Sequence, residues 1–389
     1  MEIKKEILSF EDQLINLRRE FHKIPELGFE EFKTQQKIIE YLESINLKPQ
    51  KCAKTGVVVT IEGASKGKVV ALRADIDALQ VKEETNLPFS STHENLMHAC
   101  GHDGHIAISL IAAKYFALNK DKFNGTVKII FQPNEENAGA YLMIEQGVLE
   151  NPKVDAIFAL HLWAELDSGF IDIVDGPQMA GAYDFTIEVK GSGGHAGFPY
   201  KAIDPIMAAT SIIQNVQVIQ TREKDALNPA IVMFTKLESG TSQNIISDKA
   251  ILRGTIRYLY EDAKPLIDSF KRVVTKISEA HRTKVDIELT LGNNLLSNDP
   301  KMASLMRSSA VKTLGDSSLV QQNIRTMAGE DFSEFLREVP GSFAFVGARS
   351  EKAKSTYPHH HSKFTIDEGV LKIGSELLVR SALDFLKSH

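Results

Sequence analysis

The sequence predicts an α/β protein in two parts, and three observations predict it. In the first half, helical and strand-like stretches alternate, the pattern of a sheet packed between helices. Near residue 182 the pattern changes to the order β-α-β-β-α-β, the split ferredoxin-like unit. Finally, four apolar runs are followed by acidic or metal-binding residues, and α/β sheets bind ligands outside the carboxyl ends of their strands.

The elements are justified in chain order. Residues 8–23 and 30–46 read as amphipathic helices, separated by Ile24-Pro25-Glu26-Leu27-Gly28. Strands are expected near 57–61, 69–73, 127–132 and 156–160. The stretch at 104–118 is apolar almost all round, so it reads as a helix buried against the sheet. From residue 182, Phe185, Ile187 and Val189 alternate with Thr186, Glu188 and Lys190, the mark of a half-buried strand. Asp204-Pro205 opens a helix, a cap residue followed by proline at the first helical position. Ala230 to Leu237 reads as a strand. In 251–258, Leu252, Ile256 and Tyr258 fall on one face, and Arg253, Thr255 and Arg257 on the other. A helix over 262–281 and the alternation of Val285, Ile287, Leu289 and Leu291 complete the unit. We therefore expect an inserted domain at 182–292, with 1–181 and 293–389 forming the other domain. The return segment carries a helix at 300–313, a strand at 342–347 and a last helix at 366–387.

Bulk properties exclude some classes. A chain of 389 residues accommodates two domains and a substantial core. The net charge of −6 gives no electrostatic case for nucleic acid, which needs a basic face. Two cysteines, Cys52 and Cys100, do not make a disulfide framework, and a thiol inside a histidine-rich motif reads as a thiolate ligand in a reducing compartment. The first residues lack the long apolar core of a secretion signal, and the longest apolar stretch, Ile106 to Leu118, is too short to span a bilayer. No membrane partner and a cytoplasmic location are the expectation.

The chemistry sits in four clusters. Val69 to Leu72 leads to Asp75 and Asp77. Val127 to Phe131 leads to Glu135 and Glu136. Ala156 to Leu160 leads straight to His161, and Ala344-Phe345-Val346 precedes His359-His360-His361. Between the first two lies Met97-His98-Ala99-Cys100-Gly101-His102-Asp103-Gly104-His105. Cys100 and His102 stand before a helix whose N-terminus is expected to favour a thiolate. Alone, a Cys-x-His pair is more often a buried cysteine beside unrelated histidines, and a single histidine after an apolar run is more often a core residue. The flanking donors shift both toward metal binding. Adjacent glutamates usually mark a solvated loop; after a buried strand they divide the work, one binding metal and the other moving a proton. Asp75 and Asp77 either bind metal or orient ligands. At most one residue of the triple histidine needs to be a ligand. In the inserted domain, Gly191-Ser192-Gly193-Gly194-His195 presents a histidine on a glycine-rich turn that lacks nucleotide-fingerprint spacing. Asn244 and Arg257 are candidates to hold a carboxylate, though an exposed arginine on a strand's polar face is equally ordinary.

These stretches resemble a known family. Leu72-Arg73-Ala74-Asp75-Ile76-Asp77-Ala78-Leu79, the Met97 to His105 motif, Phe131-Gln132-Pro133-Asn134-Glu135-Glu136, His161-Leu162-Trp163, Gly193-Gly194-His195-Ala196, Gly254-Thr255-Ile256-Arg257, Gly329-Glu330-Asp331-Phe332 and the His360 loop are similar to the aminoacylase and carboxypeptidase-G type dinuclear metallopeptidases. The likeness is greatest to their amidohydrolase branch, the hippurate hydrolase and indole-acetyl-amino-acid hydrolase type. It runs from Arg18-Arg19-Glu20-Phe21-His22 to Asp367-Glu368. The resemblance implies a zinc-peptidase-like catalytic domain, a mixed sheet between helices, with a ferredoxin-like lid and dimerisation domain inserted in it. It implies two divalent ions per subunit (zinc, manganese, cobalt or nickel) held by Cys100, His102, Glu136, His161 and His360. His360 is chosen because it precedes Phe364 by four residues. Cys100 is expected to bridge the ions, where the wider family uses an aspartate.

By the same resemblance Glu135 is the general base. His195 is the lid histidine that crosses a dimer interface to an oxyanion, and Asn244 and Arg257 hold the substrate carboxylate. The implied activity is hydrolysis of N-acyl amino acids by a homodimer, or a tetramer built from it. Alternatives are a peptidase on dipeptides or short peptides with the same site, and a non-catalytic metal or thiol sensor, against which the intact Glu135 argues. Two positions depart from the family pattern: Asn134 where alanine is usual, which alters the pocket, and Ser362 where proline is common, which bears on the register of the histidine loop.

Overall fold

The computed structural model describes residues 2–388, and its chain divides into two compact units. One holds the chain up to Gly176, Ser297–Arg325 and the chain from Glu330 on. The other holds Pro177–Leu296 and Thr326–Gly329.

The first unit is organised by an eight-stranded mixed sheet. Its strands run in the order Gln50–Cys52, Gly56–Glu62, Thr126–Gln132, Val69–Asp75, Ala156–Asp167, Gly341–Arg349, Ile171–Asp172, Val320–Gln321. The four middle strands, from Thr126–Gln132 to Gly341–Arg349, are mutually parallel. Parallel strands are covered on both faces, and every residue of Val69–Asp75 is buried accordingly. Because these four run the same way, the loops that leave their carboxyl ends share one edge of the sheet. The helix His102–Leu118 follows one such loop. Its apolar character on all sides, legible in the sequence, matches its place in the core: nearly every side chain from His102 to Phe116 is buried. It packs against Glu11–His22 and Leu371–Lys387.

Boundaries differ from expectation where capping or pairing intervenes. The helix expected over 8–23 is Glu11–His22, and a separate short helix, Glu2–Leu8, lies before it. The last helix starts at Leu371 because Asp367 caps a short 3-10 turn at Glu368–Val370, accepting from Gly369 N at 3.0 Å. The strand begun at Ala156 does not stop at Leu160; it continues to Asp167, paired in register with Gly341–Arg349.

The second unit has a four-stranded antiparallel sheet in the spatial order Ala230–Ser239, Lys249–Tyr258, Gly181–Lys190, Lys284–Leu291. With the helices Pro205–Val218 and Lys264–Ala280 it follows the chain order β-α-β-β-α-β. Phe185, Ile187, Leu252, Ile256 and Phe270 form its core. Among the described residues, no helix is long and apolar enough to cross a membrane.

Candidate metal centre

The shared carboxyl edge of the parallel strands gathers the donors. Asp75 ends one strand, Pro133-Asn134-Glu135-Glu136 follow the next, and His102 opens the buried helix. Three sets of donor atoms each lie within 4.8 Å of one another: Cys100, His102 and His161; Cys100, Glu136 and His360; His102, Glu135 and Glu136. Cys100 belongs to two of them. His161 is not at a strand end, as the sequence suggested. It lies inside Ala156–Asp167, opposite Phe345, and reaches the cluster from mid-strand.

Each histidine is held by its other nitrogen. His102 Nδ1 donates to the Asp77 carbonyl at 3.0 Å and lies 3.1 Å from Asp77 Oδ1. Asp77 Oδ2 accepts from Glu136 N at 3.1 Å, so one aspartate ties the histidine to the glutamate loop. His161 Nδ1 donates to Leu162 O at 3.0 Å, and its Nε2 lies 3.4 Å from Cys100 Sγ. His105 stands behind them, Nδ1 donating to Asp75 Oδ1 at 2.6 Å while Nε2 accepts from Leu162 N at 2.9 Å. A ring fixed this way presents its remaining nitrogen in one direction, the arrangement that metal-binding histidines use.

The three histidines are placed differently, and His359 Nδ1 lies 4.0 Å from Cys100 Sγ. His360, in a left-handed conformation at φ 64°, places Nε2 3.4 Å from Glu136 Oε1, and its amide is tied to Ala99 O at 2.8 Å. His359 is turned to the protein: its Nε2 accepts from Ala164 N at 2.9 Å, and burial with its histidine neighbours pushes its pKa down to about 3. His361 stacks on Tyr357.

The electrostatics favour a cation. Asp75, Glu135, Glu330 and Asp331 are all buried, and one guanidinium, Arg73, stands among them. Arg73 donates to Asp75 Oδ2 at 2.7 Å, and to Glu330 Oε1 and Asp331 Oδ1 at 3.0 Å each. Burial and the charges of Glu330 and Glu136 hold the Glu135 carboxyl well above the usual range. Burial alone would lower His102, but the Asp75 charge and the Asp77 hydrogen bond raise it well above an ordinary histidine. His161 is pushed well below by burial and by His105 and His359, which keeps it a neutral lone-pair donor. Burial and the Glu136 charge push the Cys100 thiol up, against the partial pull of its hydrogen bonds to His102 and His360. Two buried atoms in the cluster, His102 Nε2 and Glu136 Oε1, have no hydrogen-bond partner. Sulfur, imidazole and carboxylate donors around unsatisfied buried atoms fit a divalent transition metal.

Arg73, Glu330, Asp331 and His105 were not assigned roles from the sequence, although each lies in a quoted motif. The signal for Arg73 was present: a charged residue inside a fully buried apolar strand requires partners.

The second unit holds the other candidates. His195 and Asn244 line one concavity of about 470 Å³ with Gly193, Thr241, Ile245 and Ser247. His195 is exposed and its Nδ1 accepts from Gly197 N at 3.0 Å. The Asn244 backbone carbonyl accepts from Ala196 N at 3.0 Å, and its side-chain Oδ1 accepts from Ser242 Oγ at 2.9 Å. Arg257 is half-buried rather than free on a polar face, donating through Nη1 to Met327 O at 2.7 Å.

Comparison with known proteins shows the family. The thermostable carboxypeptidase 1 of Saccharolobus solfataricus is 38% identical, covering 96% of this chain and 95% of its own length. An N-acetylcysteine deacetylase of Bacillus subtilis is 37% identical, covering 98% of each. The crystal structure of a Bacillus subtilis dinuclear metal-binding peptidase of family M20 superposes with a TM-score of 0.86 at 34% identity, covering 98% of this chain and 99% of that one. With the family model itself matching residues 71–384, this chain belongs to peptidase family M20/M25/M40.

Proposed function

We propose that the protein is a metal-dependent amidohydrolase that cleaves the amide bond of N-acyl amino acids. The observation that carries this reading is the joining of Cys100, His102, Glu135, Glu136, His161 and His360 into overlapping groups within 4.8 Å, with His102 Nε2 buried and unpartnered among them. The deacetylase among its relatives supports an N-acyl amino acid as substrate, and the dinuclear structural neighbour supports two ions.

Cys100, His102, Glu136, His161 and His360 would hold two divalent ions, which when bound polarise an amide carbonyl and acidify a water. Cys100 shares one donor group with His102 and His161 and another with Glu136 and His360, which supports it as the ligand between the two sets. Glu135 is the general base. Its Oε2 lies 4.0 Å from His102 Nε2, so it stands at the cluster without being spent on a hydrogen bond to it. It takes the proton of the attacking water and returns it to the departing amine, and the raised affinity of this carboxyl for protons suits the return. Asp77 and Asp75 orient the histidines. The family resemblance supports His195 as donor to the oxyanion across a homodimer, and Asn244 and Arg257 as partners of the substrate carboxylate. A Cys100 thiol kept reduced as a ligand supports a cytoplasmic location.

A second reading, hydrolysis of short peptides at the same site, is favoured by the carboxypeptidase relative. Release of free amino acid from N-acetyl, N-benzoyl and N-succinyl amino acids and from dipeptides separates the two. Faster release from acyl amino acids supports the proposal; release from dipeptides alone replaces it with the second reading.

A further inference from the structure

Glu31 stands at the N-cap of the helix Phe32–Ser44, where a carboxylate ordinarily accepts from the helix's first free amides. Its side chain makes no such bond. Glu26 does that work instead, accepting from Thr34 N at 2.8 Å and Thr34 Oγ1 at 3.0 Å. Glu31 points inward and is fully buried. One carboxylate oxygen accepts from the Asn134 backbone amide at 2.9 Å, the other from Thr55 Oγ1 at 2.5 Å.

Asn134 immediately precedes Glu135-Glu136 and lies in the left-handed region, φ 55° and ψ 43°. Non-glycine residues persist there only when their surroundings hold them. The hold is visible on every side. The Asn134 carbonyl accepts from Gly139 N at 2.7 Å, and Nδ2 donates to Asn137 O at 3.1 Å. Gly28 lacks the side chain that would meet Asn134 Oδ1 at 1.8 Å. The amide end is held by Glu31.

We propose that Glu31 is a positioning residue for hydrolysis: by fixing the left-handed turn at Asn134 it sets the aim of Glu135 and Glu136. This rests on the roles given above to those two glutamates. Burial pushes the Glu31 carboxyl up to about 7, against the pull of the Thr55 hydroxyl. An acid kept in so unfavourable a place, and unused by its own helix, serves the turn it binds.

The test combines kinetics with metal binding. Glu31→Ala is expected to lower kcat with KM little changed, and to weaken Zn2+ binding to the chelator-stripped chain roughly 10–100-fold, as loss of outer support does in metal sites. Glu31→Gln keeps an acceptor for the Asn134 amide and is expected to restore most of both. Wild-type kcat and Zn2+ affinity in Glu31→Ala, with only a lowered Tm, would overturn the proposal. If Glu31→Ala does not fold, Thr55→Val decides. A loss of kcat and Zn2+ affinity there supports the role, and wild-type values for both overturn it. If the unmodified chain cleaves no amide, the proposed function fails, and Zn2+ affinity alone still judges Glu31.

Discussion

His102 is fixed twice by Asp77: its Nδ1 lies 3.0 Å from the aspartate's carbonyl and 3.1 Å from its carboxylate. The other carboxylate oxygen accepts from the Glu136 amide, so Asp77 braces two proposed ligands at once. In Asp77→Asn one of these contacts sets a donor against a donor, whichever way the amide turns. We expect Zn2+ affinity, measured by chelator competition, to fall by about 10–100-fold. An unchanged affinity would show that His102 and the glutamate loop are placed by other contacts.

Arg73 is the counter-charge of a buried acidic group. Arg73→Met leaves Asp75, Glu330 and Asp331 without it. Breaking a buried ion pair from one side costs about 3–5 kcal/mol. The expected outcome is a large drop in Tm, or insoluble protein, measured by thermal unfolding. A Tm within experimental error of the wild type contradicts the network.

Glu83 gives a pH signature away from the metal centre. Its burial is outweighed by the His22 hydrogen bond and charge and by Thr85 and Ser91, which together hold its pKa near about 2, below the ordinary 4.5. A carboxyl depressed on folding stabilises the native state above its unfolded pKa. That contribution fades as pH falls from about 4.5 toward about 2. Glu83→Gln is therefore expected to lose less Tm than the wild type between pH 5 and pH 3. Parallel curves for the two proteins would remove Glu83 from the acid response.

Much of this was legible in the sequence, and the remainder has identifiable causes. The alternation through Phe185, Ile187 and Val189 is a local pattern, and it marks a strand that the structure contains. The donors after Val69–Asp75 and Thr126–Gln132 were equally readable, because a polar cluster after a buried run stands out in a linear chain. The extent of Ala156–Asp167 was not, since its second half is kept extended by pairing with Gly341–Arg349, a partner far away in sequence. The bond between Arg73 and Glu330 spans 257 positions and leaves no periodic trace. The different placements of His359 and His360 go with a left-handed backbone at His360 that adjacent identical residues cannot signal. Cys100 shows the limit of a local rule: its burial and the nearby Glu136 charge, which push its thiol up, come from the fold and not from its neighbours in the chain.

Removal of metal gives a further check. Dialysis against a chelator is expected to abolish hydrolysis of N-acyl amino acids, and added Zn2+, Mn2+, Co2+ or Ni2+ to restore it to different extents. The chelated chain is also expected to melt at a lower temperature, because an ion bound only by the native state stabilises it. Full activity in metal-free protein contradicts the donor assignment.

The central claim is that Glu135 moves the proton while its neighbours hold the metal. The most direct measurement is kcat for Glu135→Gln on an N-acetyl amino acid, alongside the metal content of the same sample. The account predicts a loss of roughly 10²–10⁴-fold in kcat, the usual worth of a general base, with bound metal equal to the wild type. Turnover near the wild-type rate with metal retained contradicts it.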